Sequence, residues 1–349
     1  MDYLKPFFLV VLFYSTVYVL NAQSDYDSLS IEEFNYSYLD TKYVPPPGKT
    51  LLIMGQTKER IDEYMDNYSD QKLPAGWAAY WGVSDKRGIT NDFEVTPGNT
   101  QNHKYLVNQF PNAIIQSAMW MVGMYDIAKK TSEGAYDDAL KKYVKWARAT
   151  DRPIYLRIGY EFDGIHNELE PKEYVKAYRY VVDFLRSKKV DNVAFVWHSY
   201  ASERYKGYPL SDWYPGNDYV DWVGISVFGH AYNGEDFGPH CDEVLTFAKN
   251  HKKPVMIAES NPIHGITPSS DAVWKEWFVP FFAFIEKKNI KAVSFINENW
   301  PQTGIPGIGS WKDSRLWNNP QVGSAWFKEV SKDRYLMASP DLFEILGYE

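Results

Sequence analysis

The chain predicts a (β/α)8 (TIM) barrel, and three observations carry that expectation. Its 349 residues are 45% hydrophobic with 23% charged, which allows a large buried core. Eight short apolar runs recur between residues 51 and 297. Amphipathic helical stretches separate several of these runs. Strands that alternate with helices imply a parallel sheet with crossover connections, and eight such units imply closure into a barrel.

In chain order, the first segment is MDYLKPFFLVVLFYSTVYVLNAQ, with Lys5, an apolar run from Phe7 to Leu20 and a small residue at Ala22. It reads as a signal peptide over residues 1–22, because the run falls short of the about 20 residues that span a membrane. A secreted or periplasmic protein is expected, with no membrane insertion once the signal is removed. Cys241 is the only cysteine, so no intrachain disulfide can form. Residues 23–48 are polar, acidic and aromatic, end near three prolines, and read as an N-terminal extension lying over the main domain.

The strand-like runs then follow as LLIMG (51–55), GWAAYWG (76–82), AIIQSAMWM (113–121) and PIYLRIG (153–159). The second half adds NVAFVWH (192–198), YVDWVGISVF (219–228), PVMIAE (254–259) and KAVSFIN (291–297). YDDALKKYVKWARAT precedes the fourth run, EPKEYVKAYRYVVDFLRSK follows it, and DAVWKEWFVPFFAFIEKKN precedes the eighth. Each of these three has apolar residues at three- and four-residue spacing, the helical pattern. The catalytic barrel is expected over 49–335, with a C-terminal tail at 336–349. That allots roughly 36 residues to each unit, as barrels of this kind usually do. An open doubly wound sheet would bring a glycine-rich phosphate turn after its first strand, whereas LLIMGQTKER has a single glycine.

The formal net charge of −8 and the lack of a Lys/Arg cluster argue against nucleic acid as a partner. Barrel active sites lie at the carboxyl ends of the strands. There the chain places Glu161 on the fourth run, Trp197 and His198 on the fifth, and Phe228 and His230 on or just after the sixth. Glu259 ends the seventh, Glu298 and Trp300 follow the eighth, and Trp81 and Trp120 come from the second and third. Two carboxylates ringed by indoles and imidazoles suit glycosidic bond cleavage, in which one protonates the leaving oxygen and the other attacks or activates water. Aromatic faces suit the C–H faces of sugars. If strand alternation continues to Glu161, Arg157 shares its face, and an Arg157–Glu161 ion pair capping the strand is the structural alternative. For Trp81 and Trp120 the alternative is barrel filling, and for His198 a core histidine. Glu298 competes with Glu259 as nucleophile, and Asp313 with Arg315 reads as a structural pair. The histidines, His166 included, lack zinc-site spacing, so neither metal nor cofactor is expected.

LRIGYEFDGIHN, FVWHS, YPGNDYVDWVGIS, KPVMIAES and INENWPQ, followed by WKDSRLWNNP, resemble the clan A glycoside hydrolases, most closely family 26, the β-mannanase and β-1,3-xylanase type. The resemblance spans roughly residues 50–330. It implies a retaining (β/α)8 enzyme with Glu161 as acid/base and Glu259 as nucleophile. It matches Arg157 to an arginine four residues before the acid/base, and Trp300 to a stacking tryptophan. Two positions depart from the pattern. Tyr160 stands where the mannanases carry a histidine, which turns the expectation away from mannan. Phe228 stands where a tyrosine would bond the nucleophile, so His230 or Tyr232 is the expected substitute donor. The expected function is an exported, monomeric, retaining endo-hydrolase with an open cleft for a β-linked polysaccharide or oligosaccharide. β-Mannan, β-1,3-xylan, β-glucan and algal galactan stay open as substrates. A non-catalytic carbohydrate-binding barrel, an exo-acting glycosidase and a metal-dependent hydrolase are the alternatives. Glu161 is expected to be kept protonated by partial burial and by the charge of Glu259.

Overall fold

Eight parallel strands close on themselves: β1 (Thr50–Gly55), β2 (Gly76–Gly82), β3 (Ile114–Trp120), β4 (Ile154–Ile158), β5 (Val193–Ser199), β6 (Trp222–Val227), β7 (Val255–Ser260) and β8 (Ala292–Ile296). Each pairs with its sequence neighbour, and β8 pairs back with β1 through Leu51↔Ala292 to Gly55↔Ile296. This computed structural model describes residues 38, 41–121, 126–234, 236–305 and 308–349. The expected signal peptide and most of the N-terminal extension lie outside them.

The strands are buried on both faces, which is why they read as continuous apolar runs rather than alternating ones. One face fills the barrel. Leu51, Ile114, Tyr155, Trp222, Met256 and Ala292 form its lower layers, while the other face packs under the helices. Toward the carboxyl ends the inward positions turn polar, with Gln116, Arg157, His198 and Ser226 all fully buried.

The longer helices are α1 (Lys58–Tyr68), α2 (His103–Gln109), α3 (Ile127–Ser132), α4 (Asp137–Thr150), α5 (Pro171–Ser187), α6 (Pro239–Asn250), α7 (Val279–Lys287) and α8 (Pro320–Val330). Thr57 caps α1, its hydroxyl accepting from Arg60 N at 3.3 Å. Proline opens α5, α6 and α8, where its missing N–H costs nothing. The β5–β6 crossover departs from the alternation. It carries only the 3₁₀ turns Tyr205–Gly207, Leu210–Trp213 and Asn217–Tyr219. Two prolines and two glycines within KGYPLSDWYPG prevent a longer helix there. Trp213, fully buried against Phe162 at 5.5 Å, anchors the segment instead.

Both ends of the described chain close the bottom of the barrel. Tyr155 Oη donates to Tyr43 O at 2.6 Å, and Trp222 Nε1 donates to Lys42 O at 2.9 Å. Leu342 and Leu346 of the C-terminal tail join the same apolar cluster. The described part of the extension therefore seals the face opposite the polar mouth.

Candidate active site

At the end of β4 the chain leaves the sheet after Ile158, earlier than alternation to Glu161 would require. Gly159 follows with φ +57°, and a Cβ there would lie 2.7 Å from Met121 Cε. A side chain there would be strained by the backbone conformation and would press on Met121 and Tyr174. Glu161 itself has φ +50°, a sparsely populated conformation for a residue with a side chain. The turn holds it there. Asn167 Nδ2 donates to Tyr160 O at 3.0 Å and to Glu161 O at 2.8 Å, and Phe162 stacks on Trp197 at 4.6 Å. The carboxyl of Glu161 is thereby fixed at the mouth and is nearly buried.

On β7 the device is a bulge. Ile225 faces Ile257, but Ser226 faces Glu259, so Ala258 is an extra residue in the register. Met256 and Ala258 point into the barrel. Simple alternation would send Glu259 outward, and the bulge returns it to the inner face. There its Oε1 accepts from both Arg157 Nη1 and the Tyr80 hydroxyl. Burial raises the Glu259 carboxyl above its ordinary range, Arg157 opposes this, and the nearby Glu161 charge adds to it. Burial, and then the Glu259 charge, pushes the Tyr80 phenol well up, so it stays a donor.

The two carboxyls are joined by a buried chain of side chains. Arg157 Nη1 lies 3.3 Å from His198 Nδ1, His198 Nε2 lies 3.0 Å from Ser226 Oγ, and Ser226 Oγ donates to Glu161 Oε1 at 2.5 Å. Burial, then the charge of Arg157, holds His198 well below its usual value, so the ring is neutral. His198 is thus a core histidine that supports both carboxyls. On the other oxygen of Glu161, His166 Nε2 sits 2.8 Å from Oε2. Ser226 and His166 thus place one hydrogen-bonding group on each carboxyl oxygen of Glu161.

Several sequence-based expectations need correction. Arg157 pairs with Glu259, so the anticipated Arg157–Glu161 strand cap does not form. The donor that replaces the missing tyrosine after β6 is Tyr80. His230 instead accepts from Phe228 N and donates to Ala201 O, both at 3.2 Å, while Tyr232 Oη accepts from His264 N. Trp81 faces the helices, fully buried and stacked on Tyr143 at 4.5 Å, so it cannot meet a sugar. Glu298 sits 2.9 Å from Arg60 Nε, with Thr57 Oγ1 and Asn299 N also donating to it, which removes it as a rival nucleophile. Asp313 and Arg315 form the expected structural pair at 2.7 Å.

The remaining candidates converge on the mouth. Tyr160 stands edge-on to Tyr80 at 5.0 Å, with the Arg157 guanidinium 5.6 Å from its ring. Trp120, half-buried, lies on the inward-facing register of β3. Phe228 and Trp300 share an apolar cluster with Ile296, and half-buried Trp311 packs against them at 4.7 and 4.9 Å. Tyr80, Ser226, His166 and Trp311 are site residues that sequence reasoning passed over. For Tyr80, alternation from Ala78 would have sufficed had the inward phase been known.

Residues 153–327 match the sequence model of glycosyl hydrolase family 26, and this stretch contains both carboxylates, Arg157, His198 and Ser226. The chain belongs to glycosyl hydrolase family 26. This family 26 hydrolase is 29% identical over 339 residues to a β-1,3-xylanase named TXYA from a Vibrio species, covering 90% of this chain and 72% of that protein. A β-1,3-xylanase from an Alcaligenes species is also 29% identical, covering 90% of this chain and 70% of that protein. Among solved structures, a family 26 β-mannanase from Bacteroides ovatus shares the fold, with a TM-score of 0.56 at 14% identity over 90% of this chain and 95% of that one. An endo-β-1,4-mannanase from Cellulomonas fimi gives 0.58 at 15% identity over 89% and 76%. Family 26 membership makes the chain a glycoside hydrolase. Among its described residues no group of three or more His, Cys, Asp or Glu side chains gathers as a metal site would, and no helix is long and apolar enough to cross a membrane.

Proposed function

We propose that the chain is a retaining endo-β-glycanase acting on β-1,3-xylan, with Glu259 as nucleophile and Glu161 as acid/base. The observation that carries this reading is the division of labour between oxygens. Glu259 Oε1 accepts from both Arg157 and Tyr80, which leaves Oε2 for the anomeric carbon. Glu161 Oε1 is taken by Ser226, so Oε2, which also meets His166 Nε2 at 2.8 Å, is the oxygen assigned to the leaving group. Glu259 Oε2 attacks as Glu161 gives its proton to the departing sugar, and a glycosyl ester forms. Glu161, now a carboxylate, takes a proton from water, whose hydroxide attacks the anomeric carbon and releases Glu259. Arg157 and Tyr80 can keep their bonds to Oε1 throughout, so the oxygen that becomes the ester carbonyl is already solvated by the protein.

β-1,3-Xylan is favoured over the other glycans by the two relatives named as β-1,3-xylanases and by Tyr160 in the place of the mannanases' histidine. Internal cleavage is favoured by half-buried Trp120 at the end of β3 and half-buried Trp311 in the connection after β8, which offer aromatic surface from two separate parts of the barrel. Export, read from the apolar run at 7–20, and action as a monomer remain part of the proposal. Reducing-end release should be highest on β-1,3-xylan in a panel that includes β-1,4-mannan, mixed-linkage glucan and an algal galactan. The first product, followed by NMR, should be the β-anomer. An α-anomer would defeat the double displacement, and preferred cleavage of mannan would defeat the substrate assignment.

A further inference from the structure

The hydrogen bonds around Glu161 have only one consistent polarity. Arg157 has no acceptor to offer, so His198 Nδ1 accepts from it and the single proton of the neutral ring lies on Nε2. His198 Nε2–H therefore donates to Ser226 Oγ at 3.0 Å. The serine hydrogen then has one acceptor among the described residues, Glu161 Oε1 at 2.5 Å. An oxygen that already receives this hydrogen is a poor place for the catalytic proton. Oε2 must carry it, and the side chain touching Oε2 is His166, at 2.8 Å.

His166 is held in place by the loop that follows the acid/base. A Cβ on Gly164 would lie 2.5 Å from His166 Cε1, so glycine is needed for the ring to lie over the backbone. The ring edge packs against Tyr200 at 4.9 Å, and 44% of the side chain stays exposed to solvent. The loop thus sets a titratable ring on Oε2, the oxygen of the acid/base that Ser226 does not meet.

We propose that His166 shares the catalytic proton of Glu161, through the contact of its Nε2 with Oε2. This rests on the acid/base role proposed above for Glu161. One proton moves between Oε2 and Nε2. When Oε2 holds it, Glu161 can protonate the leaving oxygen. Once the proton has gone to the departing sugar, the attacking water returns one proton to the pair, which restores the starting state. The charged and titratable groups around the pair are Arg157 of β4, Tyr160 and Asp163 of the following loop, His198 of β5, Tyr200 after β5, His230 after β6 and Glu259 of β7. Burial lowers the His166 value, yet Glu161, followed by Glu259 and Asp163, reverses this and leaves it raised.

The test is the pH dependence of kcat/KM for β-1,3-xylan in the native enzyme and in His166→Gln, with the His166 imidazole followed by NMR titration in the native enzyme and in Glu161→Gln. Without the imidazole the shared proton loses its second site. The basic limb of His166→Gln should therefore move to lower pH. The His166 midpoint should fall in Glu161→Gln. A basic limb that superimposes on the native one, whatever the overall rate, overturns the proposal, and so does a His166 midpoint that ignores Glu161→Gln. Failure of the acid/base reading has a different signature. Glu161→Gln would then stay fully active on polysaccharide while the NMR coupling persisted.

Discussion

Replacing Tyr80 by Phe removes one hydroxyl and little else. The ring would keep its edge contact with Tyr160 at 5.0 Å and its place 5.1 Å from the Arg157 guanidinium, so the fold should be unaffected. What is lost is a hydrogen bond from a neutral donor to the Glu259 carboxylate. Such bonds to charged groups are worth about 1.5–3 kcal/mol, or roughly 10- to 150-fold in rate. Arg157 still donates to the same oxygen, so the loss in kcat/KM should fall in the lower part of that range, about 10- to 30-fold. A pH signature should accompany it. The phenol stabilises the ionised form of a carboxyl that burial already raises, so its removal raises Glu259 further and moves the acid limb of kcat/KM to higher pH. Initial rates of reducing-end release across the acid and neutral range measure both effects, with thermal unfolding as the control for folding. An unchanged kcat/KM together with an unmoved acid limb would refute the assignment of Tyr80 as the donor to the nucleophile.

Glu161→Gln should cut hydrolysis of polysaccharide by several orders of magnitude yet spare formation of the glycosyl-enzyme from a substrate with a very good leaving group, and burst kinetics separate the two steps. Trp81→Ala should cost about 3–5 kcal/mol of stability in denaturant unfolding, through a cavity beneath α4, whereas Trp300→Ala should act mainly on kcat/KM. The reverse pattern would contradict their placement. Burial pushes Glu298 up to about 7, against the opposing charge of Arg60. Between the ordinary carboxylate value and about 7 the folded chain holds a proton that the unfolded chain has released, so stability falls as pH rises through that window. Relative to Glu298→Gln, the native enzyme should therefore lose on the order of 3 kcal/mol across this window. A difference between the two proteins that does not vary with pH would exclude it.

The barrel was legible because parallel strands buried on both faces leave dense apolar runs at regular spacing. The same property hid their phase. GWAAYWG shows aromatic residues at both Tyr80 and Trp81, and nothing local says which one faces inward. Glu161 and Glu259 were found by their positions at strand ends, but their partners were not. The bulge at Ala258 and the left-handed turn at Glu161 both break the alternation that sequence reasoning relies on. Arg157 was placed correctly on the inner face yet given the wrong carboxylate, because β4 stops three residues before Glu161. His166 comes five residues after the acid/base in an irregular loop, a spacing with no periodic meaning. Trp311 reaches Trp300 and Phe228 through a long connection after β8.

The central claim is that Glu259 becomes covalently bonded to the sugar. Incubation with an activated 2-deoxy-2-fluoro xylobioside, which slows the second step more than the first, should add one glycosyl unit to the intact mass, and peptide mapping should locate it on Glu259. A label on Glu161 or Glu298, or turnover of native substrate with no trappable ester, would contradict the account.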